Sequence, residues 1–160
     1  MIVSIIDYGS GNLRSAAKAF ERAISEAELQ MVVNITADPD LIAGSDRIVL
    51  PGVGAFADCK KGIESVPGML ESIEKAVLYS ERPFFGICVG MQLMGKFGLE
   101  HGVTRGFGWV DAKVEALAPS DKKLKIPHMG WNELNFTMPR HPILADIAPH
   151  EHAYFVHSYH

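Results

Sequence analysis

Four short runs of apolar and β-branched residues, Ile2–Ile6, Met31–Ile35, Arg47–Leu50 and Pro83–Ile87, are nearly continuous and give way to glycine or a polar cluster. A strand with one wet face alternates apolar with polar residues; unbroken apolar runs belong to strands buried on both faces. Between the first two runs, Leu13, Ala17, Phe20, Ile24 and Ala27 recur at helical spacing. Arg14, Lys18, Glu21, Arg22 and Glu26 fall on other faces, so 12–28 reads as an amphipathic helix. A second helical stretch, from about Met69 to Ser80, precedes the last run. The order is then strand, helix, strand, short helix, strand, helix, strand. That alternation predicts an α/β fold, a mostly parallel sheet with helices on both sides.

After Gly95 the texture changes to shorter segments rich in turn residues: 106–109, 111–118, a turn at 120–123, then 134–136 and 153–159. Antiparallel strands and loops over one end of the sheet are expected there. With 160 residues and 48% hydrophobic content, the chain fits one domain over 1–160 that can bury a core without disulfides or metals. A net charge of −4, from 15 basic and 19 acidic residues, forms no basic stripe, which argues against a nucleic-acid partner. Met1–Asp7 has no cationic leader and no cleavage site, no apolar stretch is long enough to cross a bilayer, and Cys59 and Cys88 make no disulfide framework. The expectation is a soluble protein of a reducing compartment, the cytoplasm.

In Phe84-Phe85-Gly86-Ile87-Cys88-Val89-Gly90-Met91-Gln92 a cysteine stands between glycines two residues before and two after, where a buried strand meets a predicted helix. That is the nucleophile elbow with Cys in place of Ser. The sharp turn strains the nucleophile's backbone, and side chains at the flanking positions would collide. A helix behind Cys88 would lend unpaired N–H groups and the positive end of its dipole to a thiolate. The Val89 N–H is placed to bind an oxyanion. Most lone cysteines are buried small hydrophobes, and Cys59, with no flanking glycines and no strand before it, is read that way. Leu50-Pro51-Gly52-Val53-Gly54-Ala55-Phe56 follows another strand. Its glycines allow close backbone approach to a ligand and a peptide that turns its N–H inward as a second oxyanion donor. Alone, Pro-Gly after a strand is usually just a turn. Paired with Cys88 it gains weight, because parallel strands deliver both segments to the same sheet edge.

These residues resemble the class I glutamine amidotransferases, and among them the glutaminase subunits of imidazole glycerol phosphate synthases. The resemblance runs end to end, through Asp7-Tyr8-Gly9-Ser10-Gly11-Asn12-Leu13, Leu50–Gly54, Gly86–Gln92, Pro127-His128-Met129-Gly130-Trp131-Asn132 and Tyr154-Phe155-Val156-His157-Ser158-Tyr159. It implies a flavodoxin-like fold. By the same resemblance Cys88 attacks the carboxamide of L-glutamine, passing through an oxyanion to a thioester with loss of ammonia. Val53, Gly54 and Val89 would line the oxyanion site, while Gly54, Gln92, Glu100 and the Ser158-Tyr159 backbone would hold glutamine. Glu100 has a rival reading as a solvated helix-end carboxylate, because Gly95-Lys96-Phe97-Gly98 departs from the acidic stretch common in such proteins. The resemblance further implies a cyclase subunit built as a (β/α)8 barrel that receives the ammonia. Asn12 and Trp131 would face it, although Trp131 also fits a core aromatic. No cofactor is implied.

In this superfamily a histidine, oriented by a glutamate two residues on, activates the thiol. His101, His128, His141, His150, His152, His157 and His160 all lack that glutamate; the nearest decoy, His141-Pro142-Ile143, has isoleucine in its place. The chain stops inside an apolar, strand-like run, and the resemblance would put the general base and its Glu in residues beyond it. These 160 residues are therefore expected to be inactive, with an unpaired edge open to non-native self-association. His150 and His152 share a strand face but find no third metal ligand, so no metal is expected. Two alternatives stand beside the glutaminase: another amidotransferase or thiol hydrolase on the same sheet, and a non-catalytic glutamine-binding or scaffolding module.

Overall fold

The computed structural model describes residues 1–136 and 141–160. The chain forms two compact units, Met1–Val114 and Glu115–His160.

The first unit is built on four parallel strands in the order β2-β1-β3-β4, with β1 at Ile2–Ile6, β2 at Val32–Thr36, β3 at Arg47–Gly52 and β4 at Phe84–Cys88. The order begins as in flavodoxin-like sheets, whose ligands bind at the carboxyl ends of the strands near the β1/β3 switch point. All four strands fall where the apolar runs predict them, to within two residues at either end. Helix α1, Leu13–Glu26, lies on one face. Its Ala17 is buried with Val3, Ile5 and Val49, and Leu13, Phe20 and Ile24 pack around them. Side chains alternate along a strand, so Ser4 points the other way. There it meets Ser45, just past α2 (Pro39–Ala43): Ser45 Oγ lies 2.6 Å from both Ser4 Oγ and the Leu41 carbonyl oxygen. The hydroxyls thus satisfy each other in the core. Helices therefore cover both faces, as expected.

Between β3 and β4 the structure has two helices, α3 (Phe56–Glu64) and α4 (Met69–Glu74), where the alternation counts one. The expected helix over 69–80 is α4 running on into a π-turn at Lys75–Tyr79. The helix after Cys88, α5 (Val89–Gln92), is a single turn, so the dipole expected behind the thiol is a short one.

A second, three-stranded sheet follows, order β6-β5-β7, from β5 (Gly95–Gly98), β6 (Thr104–Arg105) and β7 (Val110–Val114). It departs from the antiparallel expectation in one respect: β5 and β7 pair in parallel. Segment 106–109 is not a strand. Gly106 sits so close to the Gly95 and Leu93 carbonyls that an added Cβ would lie 2.2 and 2.7 Å from their oxygens, and the chain bends there instead.

In the second unit, β8 (His128–Glu133) and β9 (His152–His157) form an antiparallel pair, in register from His128↔His157 to Glu133↔His152. Strand β8 ends before the segment 134–136. Residues 115–117 bond to 158–160 through the Ala116↔Tyr159 bridge.

Candidate active site

Cys88 ends β4 with φ 54° and ψ −115°, a left-handed-side conformation that a residue with a Cβ adopts only under strain. The elbow predicted from the flanking glycines is therefore present, and the thiol is exposed. Three glycines make room for it. A Cβ on Gly86 would lie 2.5 Å from Met91 Cα, and one on Gly90 would lie 1.8 Å from the Leu50 carbonyl oxygen. The third, Gly52, is the register partner of Cys88 on β3, and a Cβ there would lie 2.7 Å from the Gly90 nitrogen. The exit of β3 and the start of α5 are thus in backbone contact. Val53 and Gly54 leave the sheet directly beside the thiol, and Val89 opens the turn of helix behind it.

Beneath the segment 51–54 lies the loop that follows β1. The buried Tyr8 hydroxyl donates to the Pro51 carbonyl at 2.7 Å. Ser10 Oγ donates to the Val53 carbonyl at 3.0 Å and accepts the Val53 N–H at 3.4 Å. Cys59, on α3, donates its thiol to the same Val53 carbonyl at 3.3 Å and lies 3.7 Å from Ser10 Oγ. Burial, reinforced by the hydrogen bond to Cys59, pushes the Tyr8 phenol well above its ordinary value and keeps it protonated. Cys59 is buried, as its sequence surroundings predict, but it is not only a packing residue. Sequence reasoning missed Tyr8 and Ser10 as supports of this loop, since contacts spanning 43 positions leave no local pattern. It missed Cys59, only six residues past Val53, because nothing in its sequence surroundings separates a thiol donor from a packing residue.

Gln92 stands half-buried one helical turn after Cys88. Glu100 accepts the Phe56 N–H on Oε2 at 2.9 Å, at the start of α3, where the N-cap residue Ala55 offers no side-chain acceptor. Its carboxylate thus ends a helix, though not its own, and ties the chain after β5 to the residue two beyond Gly54. The unusual Gly95–Gly98 stretch has a steric reason, because a Cβ on Gly98 would lie 2.4 Å from the Phe56 ring. Asn12 caps α1, its side chain accepting the Ser15 N–H at 3.4 Å.

The remaining predicted residues lie in the second unit. The Ser158 carbonyl accepts the Leu117 N–H at 2.9 Å, and the Tyr159 carbonyl lies 3.0 Å from His157 Nδ1. Trp131 is 72% exposed and stacks edge-on against Tyr154 across the strand pair, so it is no core aromatic. Among the described residues no group of three or more His, Cys, Asp or Glu is arranged to hold a metal ion, and no helix is long and apolar enough to cross a membrane.

The family model described as glutamine amidotransferase class-I matches residues 4–160. Among curated proteins, the imidazole glycerol phosphate synthase subunit HisH of Rhodospirillum rubrum is 53% identical over 160 residues, covering the whole chain and 75% of the relative. The HisH subunit of Bradyrhizobium diazoefficiens is 56% identical over 163 residues with the same coverage, and that of Brucella suis 54% over 162 residues, 99% of this chain and 74% of the relative. With a strained, exposed cysteine at a sheet edge and likeness of this extent, the chain belongs to the class I glutamine amidotransferase family, within its branch of imidazole glycerol phosphate synthase HisH subunits.

Proposed function

We propose that the chain is the glutamine-hydrolysing component of an imidazole glycerol phosphate synthase of histidine biosynthesis. The observation that carries this reading is the exposed Cys88 at positive φ, in register with Gly52 at the head of the Val53-Gly54 loop. The Cys88 sulfur adds to the side-chain carbonyl carbon of glutamine, and backbone N–H groups of the Val53-Gly54 loop and of Val89 receive the negative oxygen. Collapse breaks the C–N bond, the nitrogen leaves with a proton as ammonia, and a thioester remains. Water then attacks the thioester, releasing glutamate and restoring the thiol. Gly54, Gln92 and Glu100 hold the substrate.

The ammonia passes to a cyclase subunit, a (β/α)8 barrel, and the complex works in the cytoplasm. Asn12 and Trp131 face that partner, a reading supported by their exposure. None of the seven histidines in these 160 residues has a glutamate two positions on. A polypeptide of these residues alone therefore hydrolyses glutamine negligibly, and grafting on a His-x-Glu segment from a relative restores glutamate release. Substantial release by the ungrafted polypeptide would sink that part of the reading. Strand β4 is an edge of its sheet among the described residues and carries the exposed Phe85, which supports weak self-association, measurable by sedimentation.

The site itself is tested with a glutamine-analogue electrophile. It labels Cys88 and spares Cys59, and free glutamine slows the labelling; equal labelling of both thiols, or no protection, contradicts the glutaminase reading.

A further inference from the structure

We propose that Ser10 and Cys59 form a two-donor clamp on the Val53 carbonyl that fixes the Gly54 N–H toward the substrate side of the loop. They act as positioning residues for the glutamine site. The inference rests on the reading of Val53-Gly54 as the loop that faces glutamine.

The geometry points to a clamp for three reasons. First, a single carbonyl oxygen receives two side-chain donors, Ser10 Oγ at 3.0 Å and Cys59 Sγ at 3.3 Å, from two different elements. One follows β1 and the other lies on α3, so the peptide is held from two directions. Second, the C=O and N–H of a trans peptide are antiparallel, and among the described residues the only cis bond precedes Pro127. Holding the Val53 oxygen down on the buried thiol therefore turns the Gly54 N–H the opposite way, toward the side where Val53 and Gly54 are exposed. Third, Gly54 has φ +90° and nothing within 4 Å of where its Cβ would be, so its own packing does not fix this peptide. With no steric wall and no side chain, orientation is left to the hydrogen bonds.

Two features keep the clamp in place. Cys59 is 1% exposed, which shields its weak S–H donor from competing water. The Tyr8 hydroxyl anchors the preceding Pro51 carbonyl at 2.7 Å, so the segment is already tethered two residues before the clamp. The Val53 N–H, for its part, meets Ser10 Oγ at 3.4 Å, a longer contact than either bond to the Val53 carbonyl.

The test uses a ligand whose capture needs no general base. Glutamate γ-semialdehyde, labelled with ¹³C at the aldehyde carbon, adds reversibly to Cys88 as a hemithioacetal, whose oxygen occupies the place of the oxyanion. Its affinity is read by NMR in the wild-type chain and in Ser10→Ala, Cys59→Ala, Cys59→Ser and the double alanine variant. Iodoacetamide alkylation of Cys88, which forms no oxyanion, reports thiol access in each. Each alanine variant is expected to weaken the adduct about fivefold and the double variant at least about twentyfold, the scale of one net hydrogen bond apiece. Cys59→Ser, which keeps a donor, stays within about threefold of wild type, and alkylation rates do not move. Unchanged affinity in a folded double variant overturns the clamp. So does a parallel loss of affinity and alkylation rate, since that marks a general collapse of the elbow. Should Cys59→Ala fail to fold, Ser10→Ala and Cys59→Ser decide the matter on the same criteria. A wild-type chain that alkylates at Cys88 but captures no semialdehyde sinks the glutamine reading of the loop, and the clamp with it.

Discussion

The two units of the chain are built on opposite terms. Every buried residue among those described, from Val3 to Val114, belongs to the first unit. In the second, Met129, Trp131, Tyr154 and Val156 line up on one face of the β8–β9 pair, and all four are more than half exposed. The first unit has its own core, in which each fully buried Ile or Leu contributes about 1.5–3 kcal/mol. The second is an exposed two-stranded pair, an arrangement that gains little stability by itself. Chemistry in this chain is thus anchored where packing is tight, and its aromatic surface is displayed where packing is loose.

The contrast is open to attack by substitution. The largest effect belongs to Gly90→Ala. Its new methyl would meet the Leu50 carbonyl at 1.8 Å, so the variant is expected to lose about 3 kcal/mol or more and to be damaged at the elbow. Urea unfolding measures this, and a loss below about 1 kcal/mol would mean that the elbow yields easily. Tyr8→Phe comes next, losing the hydrogen bond to Pro51, about 1 kcal/mol near neutral pH. It also changes the pH dependence. Because the folded state raises the phenol's pKa, native Tyr8 stays protonated while the unfolded chain ionises above about pH 10. The stabilisation is complete below that pH and fades as pH rises toward the folded value. The phenylalanine variant should therefore lose less stability than wild type on going from about pH 9 to about pH 11; identical alkaline slopes would show that Tyr8 is not the group responsible.

Glu100→Ala removes the acceptor at the start of α3 and should cost about 1 kcal/mol, with Glu100→Gln recovering part of it because an amide oxygen still accepts. The smallest effect is expected in the other unit. Trp131→Ala, which deletes the largest exposed side chain, should shift unfolding by less than about 0.5 kcal/mol while weakening association with the cyclase subunit. If it destabilises the isolated chain as much as Gly90→Ala, the division between a packed unit and a displayed one is wrong. Hydrogen exchange offers an independent check, with amides of β1 and β3 outlasting those of β8 and β9.

What could be read from the sequence was whatever short-range physics governs. Strands β1 and β3 announce themselves as unbroken apolar runs, α1 by its 3.6-residue period, and the elbow by glycines that a sharp turn needs. Strand β8 hid because His128–Glu133 mixes polar residues, a glycine and a tryptophan on an exposed pair, without the alternation a buried face imposes. The π-turn at Lys75–Tyr79 has no distinct sequence period. Glu100 was ambiguous for a different reason. Its partner, the Phe56 N–H, lies 44 residues away, and only the folded chain brings them together. The same holds for Ser10, which lies 43 residues from Val53.

The contact between Gly90 and the Leu50 carbonyl also bears on how the site can move. A backbone packed directly on a backbone, with no side chain between, leaves no compressible layer, so the turn carrying Cys88 and the end of β3 travel as one piece. The spacing between sulfur and loop is then set by strand register, as the gap between two teeth is set by the gear that bears them. Glutamine therefore meets a spacing that is already set, and the adjustment on binding falls to the substrate.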